Sequence, residues 1–189
     1  MANILLNLLI VLLSITSGNT ISFQELEERN HITYIKGDNK PFTGNAEMRY
    51  SDGTIMLSTP YVNGIVEGTE YRYYKDGTIS YKAEYVNGKY HGELWYYYED
   101  GKPKSKETYK HDFKYGPSVY YYSNGQIEKE GDYFDCKETG VWKEYYENGN
   151  LKSIGKYHEA SKVNIWKYYD ESGELIKTEN LIDPGGLIK

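Results

Sequence analysis

At 189 residues, 39% hydrophobic and 26% charged, the chain has the length of one ordinary domain with a modest core. Its 22 Lys and Arg are interspersed with 28 Asp and Glu, so no basic stripe exists and the usual electrostatic route to nucleic acid is excluded. The outliers are 23 Tyr and 19 Gly, residues of strands and of tight turns, in place of the aliphatic content of a conventional core.

Residues 1–18 read as a signal peptide. Ile4 to Leu13 is apolar except for Asn7, and small and polar residues succeed it as far as Gly18 and Asn19. This run is too short to span a bilayer comfortably, which takes roughly 20 residues. Export with cleavage near Gly18 is therefore expected, although Met1-Ala2-Asn3 supplies no Lys or Arg; an uncleaved anchor or a buried first helix is the alternative. Residues 19–31 read as a polar linker. Residues 32–43, with a turn at Gly37-Asp-Asn-Lys-Pro41, read as a half-repeat cap at the N-terminal end of a repeat array.

From 44 to 182 the chain repeats. Gly53, Gly77, Gly101, Gly125, Gly149 and Gly173 fall 24 residues apart without insertion, each preceded by Asp, Asn or Ser. Such pairs supply the positive φ angles of a two-residue hairpin turn, so these six glycines are assigned as structural turn residues. The columns Gly44 to Gly140 and Tyr61 to Tyr157 keep the same spacing. One copy, Gly68 to His91, reads strand, D-G turn, strand, N-G turn, and six copies predict an all-β, elongated antiparallel meander of hairpin repeats. In later copies the second turn becomes His111-Asp112, Asp135-Cys136 and Glu159-Ala160; Cys and Ala tolerate positive φ poorly, so a changed geometry is expected there.

With two-residue turns and no bulges, Tyr74 pairs with Ile79, Gly68 with Tyr85 and Ala83 with Gly92, all on one apolar face. That face would hold the column Tyr50 to Tyr146, the column Ile55, Ile79, Ile127, Leu151 and Leu175, and the Tyr61 column covering the Gly44 column. The opposite face would carry Lys and Glu side chains and a second tyrosine column. From it Tyr71, Tyr73, Trp95, Tyr97, Tyr121 and Tyr145 are assigned as the candidate partner-binding residues, an aromatic set among charges. Mere strand propensity is the competing explanation for these residues. Residues 183–189 carry no repeat signal and read as a C-terminal tail.

Catalytic and metal motifs are not found. His31, His91, His111 and His158 are too far apart for a local ligand motif and read as solvated turn residues, with a cross-repeat pair as the lesser reading. Asp52, Asp76 and Asp100 are explained as turn formers. Cys136, the only cysteine, can form no intrachain disulfide and reads as an incidental turn thiol. No enzyme, cofactor or metal is expected.

The pattern G-x-W-x-x-Y-Y-x-N-G-x-L at Gly140 to Leu151 resembles the MORN repeat variant family, and Lys40-Pro-Phe-Thr-Gly44 is similar to the opening of many bacterial members. The resemblance covers roughly residues 32–180. It implies a β-hairpin array used for protein or membrane-surface contact and supplies no catalytic residues. Bacterial members often carry the label of YwqK-type antitoxins, a cytoplasmic role at odds with an export signal. The resulting expectation is an exported, non-enzymatic protein-interaction or scaffold module at the cell envelope. A glycan or cell-wall binder and a cytoplasmic antitoxin-like binder are the alternatives.

Overall fold

The computed structural model describes residues 19–182, so the predicted signal peptide and tail lie outside the described residues. Strands β1 (Thr20–Ser22), β2 (Leu26–Arg29) and β3 (Ile32–Ile35) come first. The stretch read as a linker is thus structured, because it is only intermittently polar: Ile21, Phe23 and Leu26 are partly buried, and Phe23 meets Tyr61 edge-on at 6.4 Å. β1 runs parallel to β4 (Gly44–Arg49), pairing Thr20 with Asn45 and Ser22 with Glu47. It covers backbone groups that an edge strand would otherwise leave open. β2 and β3 form a separate hairpin that bonds to the first repeat through Thr33 N–H donating to the Gly64 carbonyl, 2.9 Å.

Six hairpins make up the rest. They are β4 with β5 (Ile55–Val62), β7 (Gly68–Tyr73) with β8 (Ile79–Val86), and β9 (Lys89–Tyr97) with β10 (Pro103–Lys110). The last three are β11 (Phe113–Tyr121) with β12 (Ile127–Phe134), β13 (Lys137–Tyr145) with β14 (Leu151–His158), and β15 (Ser161–Tyr169) with β16 (Leu175–Leu181). A short β6 (Ile65–Val66) pairs with β5. Beyond β1 every neighbour is antiparallel and in chain order, the meander expected from the repeat.

Both kinds of turn differ from the simplest expectation. At the D-G turn, Tyr74 N–H donates to the Thr78 carbonyl (2.8 Å) and Gly77 N–H to the Tyr74 carbonyl (2.9 Å), with Gly77 at φ +89° and Asp76 outside the left-handed region. That is a three-residue loop closed by a glycine, not a two-residue one. A bulge comes next: Arg72 pairs with Tyr81 and Tyr73 with Ile79, leaving Ser80 without a partner. Met56, Lys104, Glu128, Lys152 and Ile176 are left out in the same way in the other copies. The bulge carries Ile79 and its equivalents to the face of the Tyr73 column, opposite to the assignment made without bulges.

At the second turn the geometry does not change along the array. The pairs His111-Asp112 (φ 52°, 72°), Asp135-Cys136 (51°, 63°) and Glu159-Ala160 (49°, 64°) all keep the conformation of Asn87-Gly88 (52°, 74°). Each is pinned by the preceding copy: Gly88 N–H donates to the Val66 carbonyl, Asp112 to Tyr90, Cys136 to Lys114 and Ala160 to Glu138, at 2.9–3.1 Å. An anchoring hydrogen bond offsets a left-handed residue's cost of about 1–2 kcal/mol.

Gly68 does pair with Tyr85, and Gly44, Gly92, Gly116 and Gly140 with their tyrosines, but the rings do not explain the glycines. Gly68, Gly92, Gly116 and Gly140 have φ between +68° and +109°, and the next member of the column is Asn164 at +58°. The column exists for backbone conformation. A bulge here makes Ala83 pair with Leu94 instead of Gly92.

Rings cover glycines elsewhere. A Cβ on Gly131 would stand 2.2 Å from Trp142 Cδ2, and one on Gly155 2.1 Å from Trp166 Cδ2. These positions belong to a column of complementary sizes across the core face. Thr59 faces Glu70 in the second hairpin, Ala83 faces Leu94, Glu107 faces Ser118, and the last two pairs are Gly with Trp. Tyr133, Trp142, Tyr157 and Trp166 then meet edge to face at 5.1–6.1 Å, and Trp142 and Trp166 are fully enclosed.

Candidate functional site

Strand alternation puts Tyr71, Tyr73, Trp95, Tyr97, Tyr121 and Tyr145 on the face opposite this core. Neighbours two apart in sequence stack: Tyr71 on Tyr73 with centroids 6.3 Å apart, Trp95 on Tyr97 at 6.0 Å and 12° between planes. Register sets the two stacks on adjacent hairpins, joined through Tyr71↔Lys82↔Trp95, and the row continues Trp95↔Lys106↔Val119↔Glu130↔Lys143. The bulges add the aliphatic column, so Tyr73 lies beside Ile79, Tyr97 beside Pro103, Tyr121 beside Ile127 and Tyr145 beside Leu151. The face is more apolar than bulge-free register implied.

Its charges are engaged with one another. Lys106 Nζ lies 5.0 Å from the Trp95 ring centroid and 2.5 Å from Glu93 Oε1, while Trp95 Nε1 donates to Glu93 Oε2 at 3.0 Å. The Lys106 ammonium, then the indole N–H, hold the Glu93 carboxyl below its ordinary range. Farther along, Tyr145 Oη donates to Glu130 Oε1 (2.8 Å), which also takes Lys143 Nζ (3.2 Å). Burial pushes the Tyr73 and Tyr97 hydroxyls up, as befits aromatics half out of water. Of the six assigned residues, four form the two adjacent stacks. Tyr121 stands one hairpin beyond, and Tyr145 is tied into the Glu130 cluster.

Sequence reading missed the more exposed part of this face. Phe113 (53% exposed) and Phe134 (58%) flank Tyr115, whose ring is 5.2 Å from that of Phe134 and 5.3 Å from Lys110 Nζ. Val141 and Ile165 continue the patch in the next two hairpins and are also exposed. The available signal was departure from the adjacent copies: Phe113 stands where they have Lys89 and Lys137, and Phe134 where they have Lys110 and His158.

Other chemistry is spent on structure. Asp52, Asp76 and Asp100 Oδ1 each accept the backbone N–H two residues on, at 2.8–3.1 Å; the Thr54 side chain and then this bond at Asp52, the Lys102 side chain and then this bond at Asp100, and this bond first at Asp76 hold the carboxyls below the ordinary 3.8. The exposed Cys136 thiol accepts Lys114 N–H at 3.3 Å. His91 and His111 do meet across copies, ring centroids 4.9 Å apart, yet among the described residues no third His, Cys, Asp or Glu joins them as a metal-holding group. No described helix is long and apolar enough to cross a membrane.

The model of the MORN repeat variant family matches residues 66–87, 90–111, 114–135, 138–159 and 162–183. These five segments together make up more than half of the chain, each running from one second turn to the next, in step with the hairpins. Repeats of this kind are generally protein- or membrane-interaction modules and typically non-enzymatic. No curated protein matches the chain.

Proposed function

The chain belongs to the MORN repeat variant family, and on that footing we propose that it is an exported, non-enzymatic scaffold that captures a protein partner at the cell envelope through the face opposite its aromatic core. The observation that carries the proposal is the joining of the Tyr71–Tyr73 and Trp95–Tyr97 stacks with the exposed Phe113, Tyr115 and Phe134 on one face. Aromatic anchors flanked by ion-paired Lys and Glu are the makeup of a binding surface whose rim is polar. Export is supported by the apolar run Ile4 to Leu13 and the small residues after it.

The test uses the chain from Asn19 as bait in an envelope extract. Trp95→Ser with Tyr97→Ser, and separately Phe113→Ser with Phe134→Ser, weaken capture by about 30-fold or more while the β-rich circular dichroism spectrum is kept, since truncating such anchors commonly costs more than 2 kcal/mol. Undiminished capture by both variants refutes the surface. Retention on purified cell wall, with no protein captured, moves the assignment to glycan. Native protein recovered from the cytoplasm at full-length mass removes export and favours the antitoxin-like reading.

A further inference from the structure

The two ends of the sheet are unequal. At the N-terminal end β1 and the β2–β3 hairpin cover the first repeat. At the other end β16 pairs only with β15 among the described residues. Repeat arrays ordinarily turn their most polar surface outward at a terminus. This terminus leaves large apolar side chains in water beside its polar ones. Ile165 (55% exposed), Leu175 (54%) and Ile176 (64%) lie along the last hairpin, with Ile182 (90%) just past it, and Ile176 occupies the bulge position held by Ser80, Lys104, Glu128 and Lys152 in the four copies before it.

We infer that the β16 edge pairs with the β16 edge of a second copy, antiparallel about a two-fold axis at Thr178. Faces match across such an axis only when it passes through a residue, which leaves few registers. With Thr178 on the axis, Lys177 stands opposite Glu179 of the second copy and Glu179 opposite its Lys177, with Ile176 beside Asn180. Centring on Glu179 would oppose two carboxylates, and centring on Asn180 would oppose Glu179 to Leu181. Lys177 and Glu179 both lie on the core face, paired with Tyr168 and Trp166 of β15, and already form an ion pair with each other. Tyr168 Oη donates to Glu179 at 2.8 Å. Two copies would build a four-membered alternating charge cluster over continuous sheet. The isologous contact uses the β16 edge of both copies and so closes on itself at two.

The measurement is sedimentation equilibrium on the chain from Asn19 over roughly 1–100 μM, the range suited to a small edge contact. The wild-type chain forms a reversible dimer. Lys177→Glu weakens association at least tenfold by opposing like charges twice, and Lys177→Glu with Glu179→Lys restores it, the spectrum and thermal unfolding being followed to show that each variant is folded. A monomer throughout the range overturns the inference, as does a dimer that ignores Lys177→Glu or one that the charge swap fails to restore.

Discussion

Gly131 and Trp142 provide the sharpest test of the core. A Cβ at Gly131 would lie 2.2, 2.3 and 2.5 Å from Cδ2, Cε2 and Cγ of Trp142, the rigid root of the indole and not a flexible tip. Gly131 lies outside the left-handed region, so the cost of Gly131→Ala is steric. We expect a loss of about 1–3 kcal/mol from overpacking. Trp142→Leu leaves a void in the enclosed row and costs about 2–3 kcal/mol, less than complete truncation. Two repeats earlier the same positions are Ala83 and Leu94, buried at 0% and 3% exposure and directly paired. The double variant therefore installs a pair the fold already uses, and it should be about as stable as Trp142→Leu alone. The expected coupling is about 1–3 kcal/mol in the rescuing direction. Urea unfolding monitored by circular dichroism gives the cycle, and the fluorescence of the remaining tryptophans reports whether neighbouring hairpins are disturbed. Additive losses, or a neutral Gly131→Ala, would refute the size-complementary column.

Deleting one whole period, Glu93 to Gly116, restores every register and should leave a folded protein with a lower melting temperature; loss of all cooperative unfolding would contradict a nearest-neighbour array. Ala160→Gly should stabilise by roughly 1 kcal/mol in thermal melts, because Ala160 is held at φ +64°; destabilisation would show that the methyl group matters more than the backbone. The turn aspartates and Glu93 and Glu130 have carboxyls held below their ordinary 3.8 and 4.5 in the folded chain. Their contribution is complete above the unfolded values and is lost as pH falls through the folded ones. The melting temperature should thus hold steady near neutrality and fall below about pH 4; a rise on acidification would contradict the sign.

The period, the hairpin order and the Gly68–Tyr85 pairing were legible because a strict spacing leaves one consistent meander. The bulge at Ser80 was not, since an Asp-Gly pair suits a two-residue loop or a three-residue loop equally, and only the latter carries Ile79 across the sheet. Cys136 and Ala160 argued locally against a left-handed turn, and the hydrogen bond each donates to the copy before overruled them. That Tyr71, Tyr73, Trp95 and Tyr97 share one face could be read from alternation alone; their stacking could not. Phe113 and Phe134 could not be weighed without their exposure, and the Gly131–Trp142 contact required the three-dimensional register.

Tyr96 and Tyr97 offer the most direct test of the central claim, being adjacent, both accessible, and on opposite faces of β9. A photo-crosslinking amino acid placed at one position or the other, in cells expressing the chain at its native level, samples the two surfaces with the same chemistry. Irradiation is expected to yield a discrete protein adduct from position 97 and none from position 96. Adducts from position 96 alone, or equally from both, would contradict the assignment of the binding face.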